Sequence, residues 1–148
     1  MKKYAFKLQT VLGMREKVLE EKQLEMAKIV DFLNQQITKL ENLKSKKETT
    51  RVSLENIYEQ DEALDIFGIT NYKNFLGKIT NDIKNQEATI ENIKNVLQMK
   101  QKEVNEAYKE VKVLEKLREK QEKQFYQHIE YVQAQEIDDI ASTRYKRA

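Results

Sequence analysis

Apolar side chains recur every seven residues along the first part of the chain. Stepping by seven meets an apolar residue at every position but one, in the column Leu12, Leu19, Met26, Leu33, Leu40, Lys47 and Leu54. Other apolar residues flank this column and widen it into a seam that a second helix could cover: Val11, Val18, Ile29, Val30, Ile37, Leu43, Ile57 and Tyr58. The pattern predicts a first helix over about residues 6–60.

A second heptad register occupies the later part of the chain. Its two columns contain Ile83, Ile90, Leu97, Val104, Val111, Phe125 and Val132, and Ile79, Ile93, Ala107 and Leu114. Its polar members are Gln86, Lys100, Arg118, Gln121 and His128. Spacings of three and four sustained over this length are typical of a coiled coil, and they predict a second helix over about residues 72–142, followed by a tail at 143–148.

The heptad lapses between the two registers, where β-branched and aromatic residues surround Gly68. This lapse predicts a turn over about residues 61–71, with Thr70 or Asn71 capping the second helix. The two arms are similar in length, so folding back covers both seams within one chain. We therefore expect an all-α fold, a single domain over residues 1–148 that forms a long antiparallel two-helix coiled-coil hairpin.

The position of the turn predicts which residues face each other. Antiparallel pairing around it joins residues whose numbers sum to about 135, which would place Lys47 and Arg51 near Gln86. Polar positions of the two arms would then meet. The segment from Lys44 to Thr50 is therefore expected to be the softest part of the hairpin.

The same pairing leaves the end of the second arm without a partner. Residues after about Val132 extend beyond the first arm, yet Val132, Ile137, Ile140 and Ala141 still fall on one helix face. An unpaired apolar stripe suggests that another molecule covers it.

Composition and charge exclude several classes of function. Apolar residues make up 39% of the 148 positions and charged residues 35%, which is too little apolar material for several buried layers. The 27 basic and 25 acidic residues alternate in sign, so no one-sided basic face for nucleic acid is expected. The absence of Cys excludes disulfides and thiolate metal sites. No run of about 18 apolar residues occurs, so we expect a cytoplasmic protein without membrane insertion.

Catalytic chemistry is not expected. His128 falls in a core column, and no carboxylate shares its helix face, so a core or rim role is favoured over a metal site. The Gly-Lys pair at 77–78 lacks the rest of a phosphate-binding loop. Asp138 and Asp139 have no concave pocket to desolvate them in a hairpin. We therefore predict no enzyme activity, no cofactor and no metal.

Aromatic residues are frequent for so polar a chain, with seven Tyr and five Phe. Five of them fall near the turn or the C-terminal end: Tyr72, Phe75, Tyr126, Tyr131 and Tyr145. They either pack to close the two ends of the hairpin or anchor partner proteins there.

Four motifs follow one another along the chain. The first is Phe6, Leu8, Gln9, Val11, Leu12, Arg15 and Glu16, and the second is Asn71, Tyr72 and Phe75 in an Asn-Tyr-x-x-Phe pattern. A basic-acidic Leu segment occupies residues 114–120, and an acidic motif occupies residues 135–141. In this order the motifs resemble those of the FliJ family, a coiled-coil component of the bacterial flagellar protein export apparatus. That family usually has Asp-Glu where this chain has Asp138 and Asp139.

The resemblance implies a non-catalytic central stalk, similar to the γ subunit of rotary ATPases, that couples the export ATPase ring to the export gate. It implies that the flagellar export ATPase hexamer is bound by both chain ends, through Phe6, Leu8, Val11, Leu12, Ile137, Asp138, Asp139, Ile140 and Arg144. It also implies that the export-gate membrane protein is contacted near the turn, through Tyr58, Tyr72, Phe75 and Ile79. Escort of export chaperones and a peripheral position at the inner face of the cell membrane are further implications.

Two alternatives to the flagellar stalk remain at this point. The equivalent stalk of a virulence type III secretion system requires the same hairpin. A coiled-coil scaffold or holdase without an ATPase partner would require exposed apolar side chains along the arms.

Overall fold

The computed structural model describes residues 2–59 and 66–147 and contains no strand in these two ranges. Helix α1 spans Gln9–Glu59 and helix α2 spans Ile66–Arg147. The helices pack against each other in antiparallel order, so the expected all-α hairpin is confirmed. Two compact units can be distinguished: unit 1 is Met1–Lys22 with Glu103–Ala148, and unit 2 is Gln23–Lys102.

The core of unit 1 joins the start of the chain to the middle of α2. Phe6, Leu12 and Val111 are buried together, and Leu12 has no exposed surface. Residues 2–8 are not helical, but Tyr4 packs on this core and the centre of its ring lies 5.6 Å from that of Phe125. The N-terminal segment therefore extends the covered part of α2 as far as Phe125.

Polar pairs join the two chain segments of unit 1, and they include Tyr4 with Gln121 (3.1 Å), Arg15 with Glu110 (2.9 Å) and Lys22 with Glu103 (3.3 Å). The two residue numbers of each pair sum to about 125, so the predicted sum of about 135 is wrong. The last residue of α1, Glu59, and the first residue of α2, Ile66, have numbers with the same sum, and we call these the inner helix ends. The error follows from the turn having been placed several residues too late.

Unit 2 has an apolar seam that is interrupted by a polar layer. Its buried apolar residues are Leu33, Leu54, Ile79, Ile83 and Ile90. Gln36 is also buried. The side-chain amide of Gln86 donates to the backbone oxygen of Gln36 and to the Oε1 of Gln36, at 2.9 Å each. Thr50 is buried as well, and its hydroxyl donates to the Lys46 carbonyl at 2.8 Å. The polar groups of this seam are thus hydrogen-bonded.

The polar layer corrects a second expectation. Gln86 meets Gln36 and not Lys47 or Arg51. The Arg51 guanidinium instead hydrogen-bonds to carboxylates of its own helix, one turn before and one turn after it. This difference has the same origin as the register error, because a shift of about ten in the pairing sum moves each partner by nearly three helical turns.

The inner start of α2 differs from the predicted turn. Residues 66–71 are helical, and only 61–65 of the predicted turn lie outside the described residues. Thr70 and Asn71 cannot cap the helix, since the Thr70 hydroxyl donates to the Ile66 carbonyl at 2.8 Å inside it. The lapse in the heptad interrupts the apolar spacing that packing requires, but these residues still form a helix. A single Gly68 costs a helix only about 1 kcal/mol relative to Ala.

The outer ends of the helices also differ slightly from the expected ones. The start of α1 at Gln9 lies after the predicted residue 6, and α2 continues to Arg147, through most of the predicted tail. Basic residues Arg144, Lys146 and Arg147 occupy the last turn of α2, where they interact favourably with the carbonyl end of the helix.

The heptad columns themselves are confirmed. Every member of the first column, from Leu12 to Leu54, is buried or half-buried. The second register is covered as far as Phe125 except at Gln121, and beyond Phe125 its members His128 and Val132 are exposed. Of the core or rim position expected for His128, the core is therefore excluded, because the seam loses its partner helix before that residue. Within the described residues, neither helix contains an apolar stretch that could cross a membrane.

Candidate functional site

The last part of α2 is helical but has no partner in the described chain. We call residues 130–147 the C-terminal extension, because every side chain in this range is exposed. Helix α1 begins only at Gln9, and the segment before it reaches along α2 to Phe125. Among residues 2–59 and 66–147, nothing packs on the extension. An exposed helix with apolar side chains marks a surface for another molecule.

The extension combines apolar and charged groups. Ile137 and Ile140 are 67% and 56% exposed, and Arg144 follows at the next position of the same face, at spacings of three and four. Asp138 and Asp139 are exposed beside them. This arrangement suits a partner that offers an apolar groove bordered by charges of both signs.

The N-terminal residues predicted for the same site divide into two pairs. Phe6 and Leu12 are buried in the core of unit 1 and hold α1 against α2. Leu8 and Val11 remain partly exposed. Val11 borders a shallow surface cleft of about 340 Å³ together with Arg15 and Val113.

The structure does not bring the two predicted halves of this site together. Phe6 packs in a cluster with Leu117, while Ile137 lies 20 residues further along the same helix. At 1.5 Å per residue this separation is about 30 Å. A partner that contacts both halves must therefore follow unit 1 over several helical turns.

A second surface lies in unit 2, near the inner helix ends. We call it the loop-end cleft: it has a volume of about 440 Å³ and is lined by Thr50, Gly68, Asn71, Tyr72 and Phe75. The predicted residues Tyr72 and Phe75 therefore share one cleft, with Phe75 partly exposed and Tyr72 half-buried. A cleft with an aromatic wall is suited to an apolar side chain of a partner.

The other two residues predicted for this surface do not line the cleft. Tyr58 is partly exposed on α1, eight residues after Thr50, or about 12 Å along the helix axis. Ile79 is buried in the seam against α1, one helical turn after Phe75. Ile79 therefore helps to hold α2 on α1 and does not itself face a partner.

Sequence reasoning missed Thr50, Gly68 and Asn71 as lining residues of the cleft. Thr50 and Phe75 become neighbours only in the observed register, which the sequence alone did not reveal. Gly68 and Asn71 were assigned to a turn, although the Asn-Tyr-x-x-Phe motif includes Asn71 and was a usable signal.

An ion-pair cluster surrounds Thr50 on α1. Arg51 hydrogen-bonds to Glu48 and Glu55, and the Glu48 bond and charge raise the pKa of Arg51. In return, the hydrogen bond and the charge of Arg51 lower the pKa of Glu48. All three groups lie on the surface, at spacings of three and four residues, so their ion pairs stabilise α1 locally. Their exposure gives them no desolvated environment of the kind that catalytic groups have.

Ligands for a metal ion do not converge in the described ranges, in which no three His, Asp or Glu side chains come together.

Comparison with known protein families matches residues 3–148 to the family described as Flagellar FliJ protein. The match covers both helices and essentially the whole chain. No match was found among curated proteins or among solved structures.

Proposed function

The chain belongs to the FliJ family of flagellar proteins, components of the flagellar export apparatus, and on this premise we propose that it is a non-catalytic stalk that couples the export ATPase to the export gate. Its C-terminal extension would bind the ATPase hexamer, and its loop-end cleft would contact the export-gate membrane protein. The flagellar description of the family favours this function over a virulence secretion stalk.

The exposed face of the C-terminal extension is the observation that carries the proposal. Ile137 and Ile140 would cost solvation free energy if they stayed in water, and burying a side chain of this size contributes about 1.5–3 kcal/mol. Asp138, Asp139 and Arg144 border that face and would select a partner of matching charge. Helical residues on which no described part of the chain packs are well placed to enter a cavity of another protein.

The N-terminal residues play two roles in this proposal. Leu8 and Val11 are accessible and would contact the ATPase directly. Phe6 and Leu12 are buried and would act by positioning, because they fix the start of α1 on α2.

At the loop end, Tyr72 and Phe75 would receive an apolar group of the export gate, with Tyr58 at the side and Ile79 as support. Contact with the gate would place the protein at the inner face of the cell membrane as a peripheral component. Escort of export chaperones would use further surface of the hairpin.

Substitutions in the extension test the proposal. We expect the double variant Ile137→Ser/Ile140→Ser to have an affinity for the flagellar export ATPase that is lower by about tenfold or more. Its stimulation of ATP hydrolysis should fall by a similar factor. Met99→Ser is the matched control, because Met99 is equally exposed, at 67%, on the paired part of α2 and does not border the cleft of Val11. Circular dichroism should show both variants folded, since all three side chains lie on the surface.

Charge reversal supplies a second arm of the experiment. Asp138→Lys/Asp139→Lys should weaken ATPase binding without lowering the melting temperature. Unchanged binding by both double variants would overturn the assignment of the extension, and so would an equal loss in Met99→Ser, which changes unit 2.

A further inference from the structure

Unit 2 carries an exposed apolar patch that neither the extension nor the loop-end cleft includes. Phe32 on α1 and Val96 on α2 are 49% and 51% exposed. With the half-buried Ile29 and Ile93 they border a cleft of about 350 Å³, whose remaining lining residues are the uncharged Thr89 and Asn92. We call these four apolar residues the Phe32 patch.

The position of the patch in the heptad is unusual for a two-helix coiled coil. Phe32 directly precedes the seam residue Leu33, and Val96 directly precedes the seam residue Leu97. Such flanking positions normally carry charged residues that pair across the seam, as Glu25 does with Lys100 at 2.8 Å. Apolar side chains at these positions on both helices form a groove that a third helix can fill.

The charges around the patch indicate what the third helix should carry. Lys28 lies one turn before Phe32 on the same face, and Lys39 lies two turns after it. Both are exposed, and within residues 2–59 and 66–147 neither has an ion-pair partner. The carboxylate of Glu25 is already engaged by Lys100. The Asp31 carboxylate, which directly precedes Phe32 in the sequence, accepts a hydrogen bond from Gln35 at 3.3 Å. The charges without a described ion-pair or hydrogen-bond partner along this part of α1, Lys28 and Lys39, are therefore positive.

We propose that the Phe32 patch is a docking site for an amphipathic helix of a partner protein, with an apolar stripe that packs on Phe32 and Val96 and carboxylates that pair with Lys28 and Lys39. The proposal concerns other residues than those assigned to the ATPase and the gate, so it stands or fails independently of both.

A peptide binding assay tests this proposal. The probe is a fluorescein-labelled helical peptide of about 21 residues with Leu at the seam positions and Glu at the flanking positions, and its counterpart carries Lys in place of Glu. We expect the full chain to bind the Glu peptide about tenfold more tightly than the Lys peptide in fluorescence anisotropy at low salt. Phe32→Ser should weaken binding of the Glu peptide by about tenfold.

Matched variants separate the two contributions. Lys28→Glu/Lys39→Glu should remove the preference for the Glu peptide or reverse it, and Val113→Ser should bind like the unmodified chain. Equal affinity for both peptides, or unchanged binding by Phe32→Ser, would overturn the proposal. Sedimentation that shows self-association, abolished by Phe32→Ser, would also overturn it by making a second copy of the chain the occupant.

Discussion

Residues 103–125 and 130–147 belong to the same helix of unit 1 and differ in whether a partner covers them. In the first segment, Val111 is buried by Phe6 and Leu12, and Glu103 and Glu110 pair with basic residues of α1. In the second segment, every side chain is exposed, although it still carries apolar residues at helical spacing. A heptad pattern thus shows where a helix presents a seam, while the register decides whether its own chain covers that seam.

Truncation of apolar side chains in the two segments should produce the largest difference. Leu12→Ala removes a side chain with no exposed surface and should lower the free energy of unfolding by about 2–5 kcal/mol. Ile137→Ala should change it by less than about 0.5 kcal/mol, because that side chain already lies in water. Urea denaturation followed by circular dichroism measures both, and a similar loss in the two variants would mean that the extension is covered within the chain.

The polar layer of unit 2 shows whether a covered seam needs to be apolar. Gln86→Ala leaves the buried Gln36 amide without its partner and should cost about 1–3 kcal/mol of unfolding free energy. Gln36→Leu/Gln86→Leu replaces both partners and should be less destabilising than Gln86→Ala, or even stabilising. Thermal melts compare them, with the exposed Gln98→Ala as control. A larger loss in the double Leu variant would contradict the proposed role of the hydrogen bonds.

The N-terminal segment defines where the covered part of α2 ends. Tyr4→Ala removes the ring contact with Phe125 and the hydrogen bond to Gln121, together worth about 1–2 kcal/mol. Amide hydrogen exchange should therefore accelerate in residues 117–125 and stay unchanged in the extension. Tyr4→Phe, which keeps the ring and loses only the hydroxyl, should show a smaller effect. No acceleration in either variant would show that this segment does not protect α2.

The smallest effect should come from pH. Arg51 lowers the folded-state pKa of Glu48, so the contribution of this pair is present above the unfolded-state pKa of Glu48 and is lost as pH falls through the lower folded-state value. Both groups are exposed, so we expect only a slight loss of helicity in acid, and Glu48→Gln should remove that part of the pH dependence. An acid transition of α1 that Glu48→Gln leaves unchanged would assign it to other carboxylates.

The fold and the seam could be predicted because helical packing follows from local spacing. The column from Leu12 to Leu54 identified the face of α1 that packs on α2, and the absence of Pro allowed two long helices. The unpaired end of α2 was also expected, although its start was predicted about two residues later than the structure places it.

The register could not be predicted, because it depends on where the chain reverses and not on the heptads. Shifting the turn by a few residues leaves every column apolar but changes each partner, as Gln86 shows by meeting Gln36 in place of Lys47. The burial of Phe6 beside Val111, the exposure of His128 and the placement of Thr50 with Phe75 all depend on this one variable. Which residues share a surface could not be fully predicted either, because this also depends on the register.

The apolar positions that flank the seam were a signal within reach of the sequence. Phe32 and Val96 each stand beside a column residue, at places where a two-helix coiled coil usually has charges. They were overlooked because most apolar positions were attributed to the seam itself.

Hydrogen exchange of the full chain, with and without the flagellar export ATPase, tests the central claim most directly. Alone, amides of residues 130–147 should exchange much faster than those of 103–118, since an isolated helix of this length is only marginally stable in water. With the ATPase, we predict that protection rises in residues 130–147 and stays unchanged in residues 66–79. No added protection in residues 130–147 in a complex that forms, or protection confined to other residues, would contradict the account.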